Sequence, residues 1–180
     1  MDSLKKKICL LGSFAVGKTS LIERFVYDRF DDKYLTTIGV KVSLKNLSPI
    51  QSTNSGDFIR FSLLIWDISN MEKFDCAMAS YFRGSAGALA VSDLSRPETI
   101  PELQEICRKF LSVSPKALIE VIGNKVDIFD KDHNTLNLLG KVASLYGTKP
   151  LLTSAKTGET VETAFLMLAR KMASHEESFA

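Results

Sequence analysis

Cysteine is scarce: Cys9, Cys76 and Cys107 are the only three in 180 residues. An odd count leaves at least one thiol outside any intrachain pairing, and no two stand at zinc-ligand spacing. A disulfide-stapled scaffold and a cysteine-ligated metal centre are therefore excluded. Each thiol has apolar neighbours, so the expectation is buried, reduced cysteines in a cytoplasmic protein. No apolar run approaches the roughly 20 residues of a membrane span, and the Met1–Lys7 start lacks the apolar core of a signal peptide. The closing run Ser174–Ala180 contains no cysteine, so no prenyl site and no direct membrane anchor are expected. A net charge of +2 is too small for a broad basic surface, which argues against a nucleic-acid partner. Repeats, linkers and low-complexity segments are missing. What remains, with 45% hydrophobic and 24% charged residues, has the composition of one globular domain over 1–180.

Against these absences one stretch stands out. Gly12-Ser13-Phe14-Ala15-Val16-Gly17-Lys18-Thr19 fits G-x-x-x-x-G-K-[ST]. The apolar run Lys7–Leu11 before it reads as a buried strand, and Ser20–Val26 after it has helical spacing. Strand, glycine loop and helix are the context the motif requires. The glycines let the backbone wrap a polyphosphate without Cβ clashes, and loop N–H groups with the helix N-terminus face the anion. Lys18 would reach the β- and γ-phosphates, and the Thr19 hydroxyl would bind Mg²⁺.

Further along, Tyr27–Ile38 reads as a loop. Val40–Leu47 is expected as a strand with Val40, Val42 and Leu44 on one face. A polar turn region, Ser48–Asp57, joins it to an apolar strand, Phe58–Ile68. Met71–Phe82 is weakly helical. Strands follow at Ala88–Asp93, Ala117–Gly123 and Lys149–Thr153. Helices are expected from Arg96 to about Leu111, with Pro101 in the first turn, and at Thr135–Tyr146 and Glu159–Met172. Alternation of strands and helices after an early hairpin predicts an α/β three-layer domain. Its six-stranded sheet is mostly parallel, with one antiparallel strand. Ligand loops then gather at the carboxyl ends of the strands.

Two such ends carry chemistry. In Asn124-Lys125-Val126-Asp127 a carboxylate at Asp127 can accept hydrogen bonds from the N1–H and 2-amino group of guanine, donors that adenine lacks. Asn124 would tie neighbouring loops together, and the stem of Lys125 would cover the base. Ser154-Ala155-Lys156, after the last strand, could bring backbone N–H groups to the guanine O6.

With these motifs in place the sequence resembles the Ras-like small GTPases, the Rab branch most closely, over nearly its whole length. The resemblance rests on Gly12–Thr19, Tyr34-Leu35-Thr36-Thr37-Ile38-Gly39, Trp66-Asp67, Asn124–Asp127, Ser154–Lys156 and Tyr81-Phe82-Arg83-Gly84. It implies a P-loop G domain binding GTP or GDP with Mg²⁺. By that resemblance Ser13, Phe14, Ala15, Val16, Gly17 and Ser20 line the phosphates beside Lys18 and Thr19. Phe30 lies edge-on to the guanine, and Tyr34 also contacts the nucleotide. Thr37, in switch I, ligates Mg²⁺ and contacts the γ-phosphate. Asp67 holds Mg²⁺ through water, and switch II runs from there to about Tyr81. Effector and regulator proteins would bind switch I, the hairpin and switch II of a monomer.

Departures from the family pattern bear on hydrolysis. Where the family has D-x-x-G-Q, this chain reads Asp67-Ile68-Ser69-Asn70-Met71. Met71 replaces the glutamine that orients the attacking water, and a thioether cannot hold a water in line. Asn70 replaces the glycine whose N–H meets the γ-phosphate; it keeps the N–H and adds a Cβ. Phe14 stands where the family has a small residue, in the space an inserted arginine finger needs. Slow GTP hydrolysis is the expectation, with Lys18, Thr37 and Met71 at the catalytic positions. The span from Thr37 to Asp67 is also longer than the resemblance leads one to expect, the extra length falling in Ser48–Asp57.

Overall fold

The computed structural model describes residues 3–31, 39–51, 58–68 and 76–177. The first strand, β1 (Ser3–Leu11), runs parallel to β4 (Phe58–Ile68) and to β5 (Gly87–Asp93). β2 (Val40–Asn46) lies antiparallel on β4, and β6 (Leu118–Asn124) and β7 (Leu151–Thr153) continue the parallel sheet. The order is β2-β4-β1-β5-β6-β7. A two-residue strand, β3 (Ile50–Gln51), pairs antiparallel with β4 outside this path. The expected six strands and single antiparallel member of the main sheet are present. The turn reading of Ser48–Asp57 needs correction, because Ile50 and Gln51 oppose Ile59 and Phe58 and prolong the hairpin. Residues 52–57 lie outside the described residues.

Successive side chains of a strand point to opposite faces, and the sequence uses this to build two cores. Ile8 and Leu10 of β1, Leu89 and Val91 of β5 and Ile122 of β6 join one cluster. It is roofed by α1 (Lys18–Tyr27) and α5 (Val161–Glu177). There Val161, Phe165, Leu168 and Met172, spaced three and four apart, are buried, and Phe25 stacks flat on Phe165 at 3.9 Å between ring centroids. Cys9, Leu11, Ala88, Ala90, Ile119 and Val121 face the other way. They meet α2 (Cys76–Phe82), α3 (Thr99–Val113) and α4 (His133–Ser144). Both sheet faces are covered, which explains why these parallel strands read as continuous apolar runs.

Several element boundaries differ from those expected. β1 begins at Ser3 rather than Lys7, because β4 is long enough to pair as far as Arg60. The basic run is therefore inside the strand, where Lys7 lies 3.9 Å over the Trp66 ring and donates to the Arg83 carbonyl. α3 begins at Thr99, with Pro101 in its first turn as expected. Asp132 caps α4 by accepting from the Asn134 and Thr135 N–H groups, so that helix starts at His133. α5 extends to Glu177.

The face bearing Val42 and Leu44 is open to solvent, at 46% and 54%, while Ser43 between them is turned inward. Cys9 and Cys107 are buried as expected. Cys76, at the start of α2, is exposed, contrary to the reading of three buried thiols.

Candidate functional site

The loop between β1 and α1 is shaped by two glycines in backbone conformations that other residues rarely adopt. Gly12 has φ +142, and a Cβ there would stand 2.2 Å from the Val91 carbonyl oxygen. Gly17 has φ +99, and a Cβ there would meet the Asn124 amide nitrogen at 2.3 Å. Ala15 is held at φ 60 between them. Val16 is buried in the first core and anchors the loop from beneath.

Lys18 is 8% exposed and folds back over this loop, donating to the Gly12 carbonyl at 2.7 Å and the Ser13 carbonyl at 2.9 Å. Burial lowers its pKa to about 8, with the Asp67 carboxylate pulling it back up. Thr19 sits beside it and donates to Asp67 Oδ2 at 2.5 Å. Ser20, next in the first turn of α1, is half-buried.

Asp67 is the penultimate residue of β4 and is 1% exposed, with Oδ1 buried and without a hydrogen-bond partner among the described residues. Burial pushes its carboxyl up, against the Thr19 hydrogen bond and the positive charges of Lys18 and Lys41. An orphaned carboxylate oxygen costs free energy unless something fills its lone pairs. A hard divalent cation suits it, and a threonine hydroxyl beside it is an acceptable second oxygen ligand. Among the described residues no group of three His, Cys, Asp or Glu side chains could hold a metal alone. A cation here would draw its other ligands from phosphate and water, which is the habit of Mg²⁺. These residues fit it.

Asn124 is the hub of the remaining loops. Its side-chain amide donates to the Val16 carbonyl at 3.0 Å, and its Oδ1 accepts from Thr153 Oγ1 at 3.1 Å and the Ala155 N–H at 3.3 Å. One buried side chain thus joins the phosphate loop to the ends of β6 and β7. Lys125 stands at φ 68 and sends its ammonium to the Ala15 carbonyl at 2.9 Å and to Asp93 Oδ2 at 2.6 Å. Asp127 is exposed and accepts from Ser154 Oγ at 2.5 Å. Ser154 and Ala155 are buried, while Lys156 is exposed. Phe30 is half-buried against the first core. The loop N–H groups expected to face a base are only partly available: that of Ser154 donates to Glu159 and that of Ala155 to Asn124.

Supports that the sequence reading missed complete the site. Arg24, on α1, donates to the Ala155 carbonyl at 3.0 Å and the Lys156 carbonyl at 2.7 Å. Arg96 bridges Asp93 at 3.0 Å and the Phe14 carbonyl at 2.7 Å, and Ser13 donates to Glu102 of α3. Burial pushes the Asp93 carboxyl up, but hydrogen bonds from Lys125, Ser95 and Arg96 outweigh it and hold it low. The Phe14 side chain is 52% exposed on the surface of the loop. Tyr34, Thr37, Asn70 and Met71 lie outside the described residues.

The Ras family model matches residues 7–174. Among curated relatives, Rab-8A of Rattus norvegicus is 32% identical over 166 residues, spanning 91% of this chain and 76% of the relative. Rab-8B of Homo sapiens is 32% identical over 165 residues with the same shares, and Rab-8A of Gallus gallus is 31% identical over 165 residues.

Proposed function

Because the chain belongs to the Ras family, in its Rab branch, we propose that it is a guanine-nucleotide switch that binds GTP or GDP with Mg²⁺ and hydrolyses GTP slowly. The observation that carries this reading is the Asn124 hub, which holds the phosphate loop and both base-side loops in one rigid arrangement. Loop N–H groups from Ser13 to Thr19 and the start of α1 at Lys18–Ser20 would receive the β- and γ-phosphates. Lys18 would exchange its two carbonyl partners for phosphate oxygens. Thr19 and Asp67 would hold Mg²⁺, which supplies charge neutralisation between the phosphates, with Thr37 as the switch I ligand. Asp127 would accept from the guanine N1–H and amino group, Lys125 would cover the base face, and Phe30 and Ala155 would flank it.

Slow hydrolysis follows from chemistry at three positions. Met71 offers no group able to orient a water, Asn70 would add a Cβ where the resemblance implies the γ-phosphate, and Phe14 would occupy the approach of an arginine finger. The same three residues favour a second reading, in which hydrolysis is lost and the GTP-filled domain serves as a protein-binding scaffold. In either case the γ-phosphate orders switch I and the segment after Asp67, and effectors and regulators read those segments and the hairpin of a monomeric switch. No helix among the described residues is long and apolar enough to cross a membrane, so a location on a membrane's cytoplasmic face would come through partners or a lipid.

Chromatography of the nucleotide released from freshly purified protein tests the reading. Guanine nucleotide with a large intact GTP fraction is expected. Adenine nucleotide would overturn the base assignment, and GDP alone would mark a competent hydrolase.

A further inference from the structure

Glu23, on the second turn of α1, gathers two cations. Its Oε2 accepts from Arg29 Nε at 2.6 Å and its Oε1 from Lys41 Nζ at 2.5 Å. Arg29 precedes the switch I stretch and Lys41 follows it, so one carboxylate pins both flanks. Burial alone would push the Glu23 carboxyl up, but the hydrogen bonds from Arg29 and Lys41 outweigh it and keep it below the ordinary range.

Lys41 has a second potential partner. In the antiparallel β2–β4 ladder Lys41 stands directly opposite Asp67. Opposed residues share a face with Cβ atoms about 5 Å apart, well within the reach of a lysine's four-carbon stem. Asp67 Oδ1 is the buried carboxylate oxygen left without a partner among the described residues. An ammonium drawn to that oxygen would occupy the place of a divalent cation. In the arrangement observed the Lys41 ammonium donates to Glu23 and not to Asp67. Lys41 is 46% exposed and has solvent around it in which to swing.

We propose that the Glu23–Lys41 pair sets the Mg²⁺ affinity of the nucleotide site: Glu23 restrains a lysine that, once released, competes with Mg²⁺ for Asp67. The proposal rests on the reading of Asp67 and Thr19 as Mg²⁺ ligands beside a guanine nucleotide. It makes Glu23 and Lys41 positioning residues, since neither touches nucleotide or metal while paired.

The test is the release rate of N-methylanthraniloyl-GDP from the full chain, measured across free Mg²⁺ buffered with EDTA, for wild type and four variants. Glu23→Gln is expected to raise the Mg²⁺ concentration at half-effect by about tenfold, the scale of one unit charge acting over about 3 Å at the dielectric of water. Lys41→Gln should leave the half-point at or below the wild-type value. The double variant Glu23→Gln/Lys41→Gln should match Lys41→Gln, because no ammonium remains to be released. Arg29→Gln leaves the Glu23–Lys41 pair intact and should not move the half-point. A double variant as weak in Mg²⁺ as Glu23→Gln would overturn the proposal, since Glu23 would then act by its own field. A shift in Arg29→Gln equal to that in Glu23→Gln would also overturn it, by assigning the effect to loss of the switch I anchor. Failure of every form to bind the fluorescent nucleotide at any Mg²⁺ concentration would reject the nucleotide reading itself, a distinct outcome.

Discussion

Lys18→Met is expected to lower GTP and GDP affinity by about 10²- to 10³-fold, the effect of removing one buried charge-assisted partner from a phosphate. Methionine retains most of the buried Lys18 stem, so the fold should survive. The lost element is the ammonium that bridges the Gly12 and Ser13 carbonyls. Two measurements check this. Titration with a fluorescent guanine nucleotide gives the affinity directly. Thermal unfolding with and without added GDP gives it indirectly, because a ligand that binds only the folded state stabilises it by RT ln(1 + L/Kd), L being the free ligand concentration. The wild type should gain stability on adding GDP, and Lys18→Met should gain almost none. Comparable gains in both would mean that Lys18 does not meet the phosphates.

The second large effect concerns the base. Asp127→Ala is expected to reduce GTP affinity by about 10³-fold or more while leaving weak ATP binding nearly unchanged. The asymmetry arises because guanine's N1–H and amino group would be desolvated without an acceptor, whereas adenine offers neither donor and loses nothing. Asp127 also accepts from Ser154 Oγ, so some of the loss would come from loosening the loop after β7. Ser154→Ala separates the two contributions: it removes that hydroxyl and keeps the carboxylate, and only a modest loss is expected. Competition of ATP and GTP against one fluorescent nucleotide measures the discrimination. If Asp127→Ala preserves the wild-type preference for GTP, the base contact lies elsewhere.

How much of this is legible in the sequence depends on the range of the interaction. The Gly12–Thr19 motif is legible because its requirement is local: two glycines at positive φ where a Cβ would strike Val91 or Asn124, framed by a strand and a helix. The three-layer fold is legible because alternate residues of β1, Ile8 and Leu10 against Cys9 and Leu11, serve two separate cores. Asn124 is legible as a loop tie from its place at a strand end. Arg24, Arg96 and Glu102 are not. They hold the site through contacts to backbone or side chains far away in sequence, and an arginine has the same local pattern whether it meets solvent or a distant carbonyl. Val42 and Leu44 do share the expected face, but strand alternation identifies such a face without saying whether anything covers it. β3 escaped because two residues are too short to carry a period, and its pairing depends on the length of β4.

The claim that most needs a direct measurement is that this site holds GTP better than it cleaves it. Single-turnover hydrolysis of the purified GTP complex, started with Mg²⁺, measures it. A rate well below the roughly 4 × 10⁻⁴ s⁻¹ intrinsic to Ras itself is expected, with a rise when Met71→Gln restores a side chain able to orient water. A wild-type rate at or above that intrinsic value would show that Met71, Asn70 and Phe14 do not impair hydrolysis.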